Sequence, residues 1–356
     1  MLSRIGGAAA AARALVPGWM RTAVRMAATA GGDGPREIIL HCGEHKTGTT
    51  SIQALILRER KDLARQGVHV LCVGQGSNGA HHRLIQAFDR RPFGAVTAKL
   101  LAIEIRRAPG RTILVSSELA KTAIVHGRGQ QVIDAFRAAG ADRVRLLFYL
   151  RSPFALANAA YAERTGSLDL GGAPFVDFLR VHDAGPAYAY EGFLDLAARD
   201  DVDLEVRPYS ALVRRSIAED FGDAIGITWR RCDGPRRNRS LGPIGLEAMR
   251  RIAAEGGLPD GARRVRLYMR LRAIGLALGE APFWQMDAAH QALLTTADHR
   301  TDAFARAVWG HGWRETIGEE ERPLNVFDPA DPRQQDMLER TLAQMRRARA
   351  DLLGAG

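Results

Sequence analysis

Short apolar runs that end in glycine or a polar residue alternate with stretches whose apolar residues return every three or four positions. The run at 37–42, Glu-Ile-Ile-Leu-His-Cys, is apolar and β-branched and stops at Gly43, the pattern of a buried strand. Residues 51–66 place Ile52, Leu55, Ile56 and Leu63 near one face and meet Gly67, which predicts a helix with its stop. The same reading gives strands at 68–73, 112–116, 144–150 and 202–206, and helices at 95–107 and 130–139. From about residue 242 the pattern is mostly helical, and it closes in an amphipathic helix over 334–353. Strands alternating with helices predict an α/β fold, a parallel sheet with helices on both faces. Residues 35–356 are read as one such domain with a helical C-terminal extension. Residues 1–34 stand apart: alanine- and glycine-rich, with no acid before Asp33 and with Arg4, Arg13, Arg21 and Arg25. They read as a disordered or targeting-like segment, or as a weak amphipathic anchor. No run approaches the ~20 apolar residues of a spanning helix.

In parallel sheets ligands sit beyond the carboxyl ends of the strands. Three places are therefore privileged: the loop after Cys42, the Ser116-Ser117-Glu118 segment, and Arg151. The loop reads Gly-Glu-His-Lys-Thr-Gly-Thr-Thr-Ser before its helix. Gly43 and Gly48 permit a tight turn, and successive amides leading into a helix N-terminus attract an anion. Thr47, Thr49, Thr50 and Ser51 add hydroxyls, and Lys46 adds a full charge. Among 50 basic residues only Lys46, Lys61, Lys99 and Lys121 are lysine, so a lysine in this loop points to a wanted ammonium. A nucleoside-triphosphatase loop places its lysine directly after the second glycine. Here the lysine precedes Gly48 by two positions, and the third strand ends without an aspartate for magnesium.

The run His-Lys-Thr-Gly-Thr-Thr-Ser resembles the 5′-phosphosulfate loop of P-loop sulfotransferases, bacterial members included, and the likeness extends diffusely over about 35–245. It implies a P-loop-like sheet and 3′-phosphoadenosine-5′-phosphosulfate as co-substrate, held by His45, Lys46, Thr47, Gly48, Thr49, Thr50 and Ser51, with no metal expected. Leu-Phe-Tyr-Leu-Arg-Ser-Pro-Phe is similar to the family's second nucleotide segment, which makes Arg151 a ligand. The family's serine falls on Ala159, beside Asn158, so the 3′-phosphate ligand is open; Ser152 is an alternative donor. The arginines Arg230, Arg231, Arg236, Arg237 and Arg239 resemble the family's late basic segment. Sulfo transfer needs charge stabilised on the bridging oxygen and a proton taken from the acceptor. Lys46 suits the first role. Glu118 is the first candidate for the second, with His82 or His81 as the alternative, and His45 also lies within reach of a sulfo group.

Composition narrows the partners. The chain has 356 residues, 46% hydrophobic and 25% charged, enough for a core without disulfides. Cys42, Cys72 and Cys232 lack ligand or disulfide spacing, which suggests a reducing, cytoplasmic setting. Peripheral membrane association through 1–34 is the one membrane role left open. A net charge of +10 favours an anionic partner, but no nucleic-acid module or aromatic–basic interleaving is present. The reading is a sulfotransferase acting on a hydroxyl or amine acceptor, whether carbohydrate, lipid or other small molecule. The alternatives are a nucleotide-dependent kinase with a degenerate loop and a non-catalytic nucleotide-binding protein. Trp284, Trp309 and Trp313 are core residues or acceptor-site walls.

Overall fold

A computed structural model describes residues 34, 36–44, 46–89, 95–230, 240–319 and 322–354. In chain order its elements begin with β1 (Glu37–His41), α1 (Thr49–Arg58), α2 (Arg60–Arg65), β2 (Val68–Val70), α3 (His82–Asp89), α4 (Ala95–Arg107), β3 (Thr112–Ser116), α5 (Glu118–Val125), α6 (Gly129–Ala138) and β4 (Arg143–Leu150). Then come α7 (Pro153–Gly166), α8 (Phe175–Asp183), α9 (Glu191–Ala197), β5 (Val202–Pro208), α10 (Ala211–Arg215) and α11 (Ile217–Ile225). The remainder is helical: α12 (Pro243–Ala254), α13 (Gly261–Ala277), α14 (Ala288–Gln291), α15 (Thr295–Trp309), α16 (Trp313–Ile317) and α17 (Pro332–Gly354).

The described residues form two compact units, one within Met1–Leu150 and Ala189–Pro235, the other within Arg151–Tyr188 and Arg236–Gly356. The first carries the sheet, with strand order β2-β3-β1-β4-β5 and every pairing parallel. β1 is central, between β3 and β4. Its onward connection runs toward β2 while that of β4 runs toward β5, so the topological switch falls between β1 and β4. The loop expected to bind the anion leaves β1 at that point.

Side chains alternate across the sheet. Ile39, Leu114, Leu147 and Tyr149 pack on one face against Ile52, Leu55 and Ile56 of α1, Leu63 of α2, and Phe221, Ala224 and Ile225 of α11. On the other face Phe148 meets the rings of Tyr190 and Phe193 at 5.8 and 4.8 Å. Burial on both faces explains why the strands read as near-continuous apolar runs. The helix expected over 51–66 is two helices, because Glu59 leaves the helical region (φ −94°, ψ 14°). The second unit is helical and takes in 151–188 as well as the C-terminal part. Helical structure outside the sheet unit therefore begins earlier than residue 242. Among the described residues no helix is long and apolar enough to cross a membrane. The expectations for 1–33, His45, Arg231, Cys232, Arg236, Arg237 and Arg239 lie outside the described residues.

Candidate functional site

The loop between β1 and α1 turns on three left-handed residues: Gly43 (φ 41°), Lys46 (φ 65°) and Gly48 (φ 80°). A non-glycine residue at positive φ is uncommon. Lys46 holds this conformation inside a loop pinned from below. The main-chain carbonyl of Glu44 accepts from the Thr47 amide at 3.3 Å and from the Thr47 hydroxyl at 2.7 Å, with the Thr49 hydroxyl at 3.4 Å. Gly48 then opens α1, and its carbonyl takes the Ser51 and Ile52 amides at 2.9 and 3.1 Å. The amides of Thr49 and Thr50, at the start of the first turn, have no intrahelical acceptor and carry the positive end of the helix dipole.

This geometry divides the hydroxyls of the loop. Thr47 is wholly buried and bonded inward, so it supports the turn from within. Thr49 is buried beside it, while Thr50 is half-buried and Ser51 exposed. A ligand would meet the Lys46 side chain, the first-turn amides and the outer hydroxyls.

Underneath lies a buried ion pair. Lys121 of α5 donates to the Glu44 carboxylate, and the two side chains are 5% and 1% exposed. The Lys121 ammonium also lies over the rings of Phe148 and Tyr190, at 5.9 and 5.3 Å. Burial drives its pKa below the ordinary lysine value, with the Glu44 charge and bond opposing. Sequence reasoning missed this pair although a signal existed. Lysine is rare in the chain, and the argument used for Lys46 applies equally to Lys121.

Glu118 is the first residue of α5, directly beyond β3. A Cβ built on Gly43 would stand 3.2 Å from Glu118 Cγ, and 2.8 Å from Thr49 Oγ1, so this carboxylate stem rests against the base of the loop. His82, at the start of α3, places Nε2 3.3 Å from Glu118 Oε2 and Nδ1 2.9 Å from Ser117 Oγ. The trio has the membership of a serine–histidine–carboxylate relay. Ser117 is fully buried, however, so no substrate carbonyl reaches its Oγ. What the arrangement offers is a half-exposed histidine that orients a carboxylate.

The segment before His82 is fixed by Glu104, which accepts from Cys72 N (2.6 Å) and Val73 N (2.9 Å) and pairs with His69 Nε2 (3.0 Å). Burial would raise the Glu104 pKa, but these bonds outweigh it and hold it below the usual carboxylate range.

His81, named with His82 as an alternative base, is a structural residue. It is completely buried; Nε2 donates to the Leu71 carbonyl at 2.7 Å, and Nδ1 accepts the Ser116 amide at 3.2 Å. Burial lowers its pKa to about 4, against the raising effect of its backbone bonds. His41, the last residue of β1, is also fully buried and held neutral. Burial lowers its pKa to about 4, with Glu118 opposing, and its Nδ1 meets Ser116 Oγ at 2.9 Å. Cys42, next in the chain, is a buried thiol whose pKa burial pushes up, so it is inert.

Arg151 follows directly on Leu150 and is buried. Ser152 caps α7, its hydroxyl accepting the Ala155 amide at 3.5 Å. Asn158 is occupied elsewhere: its amide donates to Phe283 O at 3.2 Å and accepts Gln285 N at 3.0 Å. Ala159 is half-buried and offers no polar group. Comparison with protein-family models, with curated proteins and with solved structures returns no match.

Proposed function

We propose that the chain is a sulfotransferase whose loop, residues 43–51, grips the phosphosulfate end of 3′-phosphoadenosine-5′-phosphosulfate. The observation that carries the reading is the left-handed Lys46 between Gly43 and Gly48, in a loop whose Gly43 rests against the Glu118 stem. Residues of positive φ in a tight loop can turn backbone amides toward one point, an arrangement that suits an anion. The helix behind it adds a favourable dipole.

In this reading the acceptor oxygen or nitrogen attacks sulfur in line. The bond from sulfur to the bridging phosphate oxygen breaks, and 3′-phosphoadenosine-5′-phosphate leaves. Lys46 and the amides of Thr49 and Thr50 stabilise the charge on the bridging oxygen. Glu118, held by His82 at 3.3 Å, takes the acceptor proton. Thr47 and the Glu44–Lys121 pair hold the loop in shape, while Thr50 and Ser51 supply hydroxyl donors.

Calorimetric titration with 3′-phosphoadenosine-5′-phosphate, ATP and magnesium–ATP tests the proposal. The first is expected to bind at micromolar concentration without metal, and Lys46→Ala to lose that binding and all transfer while keeping the fold. Magnesium-dependent ATP binding alone would move the reading to a phosphotransferase. A fully active Lys46→Ala enzyme is incompatible with the mechanism.

A further inference from the structure

The helical unit contains a cavity of about 490 Å³ whose walls include Phe154, Trp284, Met286, Gln291, Glu319 and Arg322. Its size lies within the ~300–1,000 Å³ usual for small-molecule sites. Two separate supports lead to this wall. The first fixes Trp284. Its main chain exchanges two bonds with Asn325, at 3.0 and 2.8 Å, and the Asn325 amide reaches the Ala281 and Pro282 carbonyls at 2.9 Å each. From the other side Asn158 brackets Phe283 and Gln285, as described above. Two asparagine side chains thus hold one short stretch of chain.

The second support fixes Glu319. Asp298 takes both terminal nitrogens of Arg314, at 3.0 and 2.9 Å, and Arg314 Nε donates to Glu319 Oε1 at 2.6 Å. Arg314 is itself packed over the rings of Trp313 and Phe154, at 4.5 and 5.5 Å. A surface carboxylate has no need of so much orientation for stability, since exposed ion pairs contribute little. Side chains locked by an outer layer of bonds are what a preorganised binding site requires.

The lining supplies the remaining clues. Trp284 is 4% exposed, and among the described residues its buried Nε1–H meets no acceptor. That N–H has almost no accessible surface of its own, so the indole contributes apolar surface to the wall. The Arg322 guanidinium lies over the same indole, 4.9 Å from its centroid. The wall therefore mixes donors (guanidinium, the Gln291 amide), an oriented carboxylate acceptor, and apolar surface from Phe154, Trp284 and Met286. Acid and base offset one another, which disfavours a strongly charged ligand. Hydroxyl groups, which donate and accept at once, suit both kinds of wall, and the C–H face of a ring suits the apolar part.

We propose that this cavity binds a polyhydroxylated ring, a sugar or cyclitol. The proposal does not depend on what the loop at 43–51 binds, and it is tested without nucleotide. Saturation-transfer NMR on the full chain would use methyl glucoside, methyl galactoside, methyl mannoside and myo-inositol as probes, with benzoate as the charged aromatic control. At least one polyol is expected to bind saturably, with a millimolar dissociation constant. Glu319→Gln should weaken it about tenfold, as expected for a lost directed hydrogen bond. Arg314→Ala should do the same from outside the wall, because it releases Glu319. Glu319 is about half exposed, so its variant does not put the fold at risk. Absence of saturable polyol binding, binding of benzoate alone, or an affinity indifferent to Glu319→Gln overturns the proposal.

Discussion

Lys121→Met removes the ammonium beneath the loop and keeps most of its stem. Methionine fills similar space between the rings of Phe148 and Tyr190, so the change isolates the charge. Glu44 is 1% exposed and its ion partner 5%, which leaves water little access to the stranded carboxylate. Breaking one side of a buried pair costs about 3–5 kcal/mol, because the remaining charge is neither solvated nor compensated. Against a typical total stability of roughly 5–15 kcal/mol, that is a large fraction. Replacing both partners is a different experiment. Glu44→Gln with Lys121→Met leaves no buried charge and retains the Glu44 main-chain carbonyl, so the bonds from Thr47 and Thr49 survive. The double variant should therefore recover most of the loss, with a coupling of roughly 2–4 kcal/mol in the cycle. Urea unfolding of the four proteins, followed by circular dichroism, measures the cycle directly. Should Lys121→Met cost less than about 1 kcal/mol, or the double variant be no more stable than the single, the pair is not the buried support described here.

Three more outcomes follow. Glu118→Gln should keep donor affinity and lose turnover by a factor of about 10²–10⁴, measured as sulfo transfer at saturating donor; near-normal turnover would pass the proton-accepting role to His82. Gly43→Ala should disable the loop, since its Cβ would stand 2.8 and 2.9 Å from the Thr49 side chain at φ 41°, and donor titration should show weakened binding. For His41 and His81 the unfolded value is 6.5 and the folded value about 4, so the unfolded chain binds more protons and stability falls as pH drops below 6.5, levelling off below 4. Together they should remove roughly 2 kcal/mol between pH 6 and pH 5, seen as a lower urea midpoint, and His81→Asn should have about half that pH sensitivity.

Much of the sheet unit was legible because its signals are local. Helix 95–107 and strand 112–116 have the bounds expected from pattern, and the strand–loop–helix context of Lys46 lies within a dozen residues. Apolar periodicity marks where a segment must be buried, and glycine marks where it must turn. Neither reports what a polar residue meets across the fold. Helix α3 escaped notice because it starts with His82 after a glycine-rich stretch, and a helix beginning at Glu118 was legible only as an ordinary reason for an acid at that position. Local pattern could not show the pairing of His82 to Glu118, which are 36 positions apart in the chain, or of Glu44 to Lys121, which are 77 apart.

The residues that composition flagged separate in an instructive way. Lysine was singled out because the chain otherwise uses arginine. Of its four lysines, Lys61 and Lys99 are exposed, whereas Lys121 is buried against Glu44 and Lys46 sits in the loop. The two placed near the end of β1 share a property that guanidinium lacks: a compact charge on a flexible stem, which can approach one oxygen from within a narrow space. A planar fork in place of Lys121 would have to fit between two aromatic rings and a carboxylate while leaving several donors unpaired, and unpaired buried donors are destabilising. For Lys46 the same compactness suits a single bridging oxygen at the mouth of a tight turn. Choice of lysine over arginine is thus a statement about geometry, and it holds beneath the loop for a reason visible in the packing. That common ground supports reading Lys46 as a residue selected for one close contact, which is what the titration of Lys46→Ala measures.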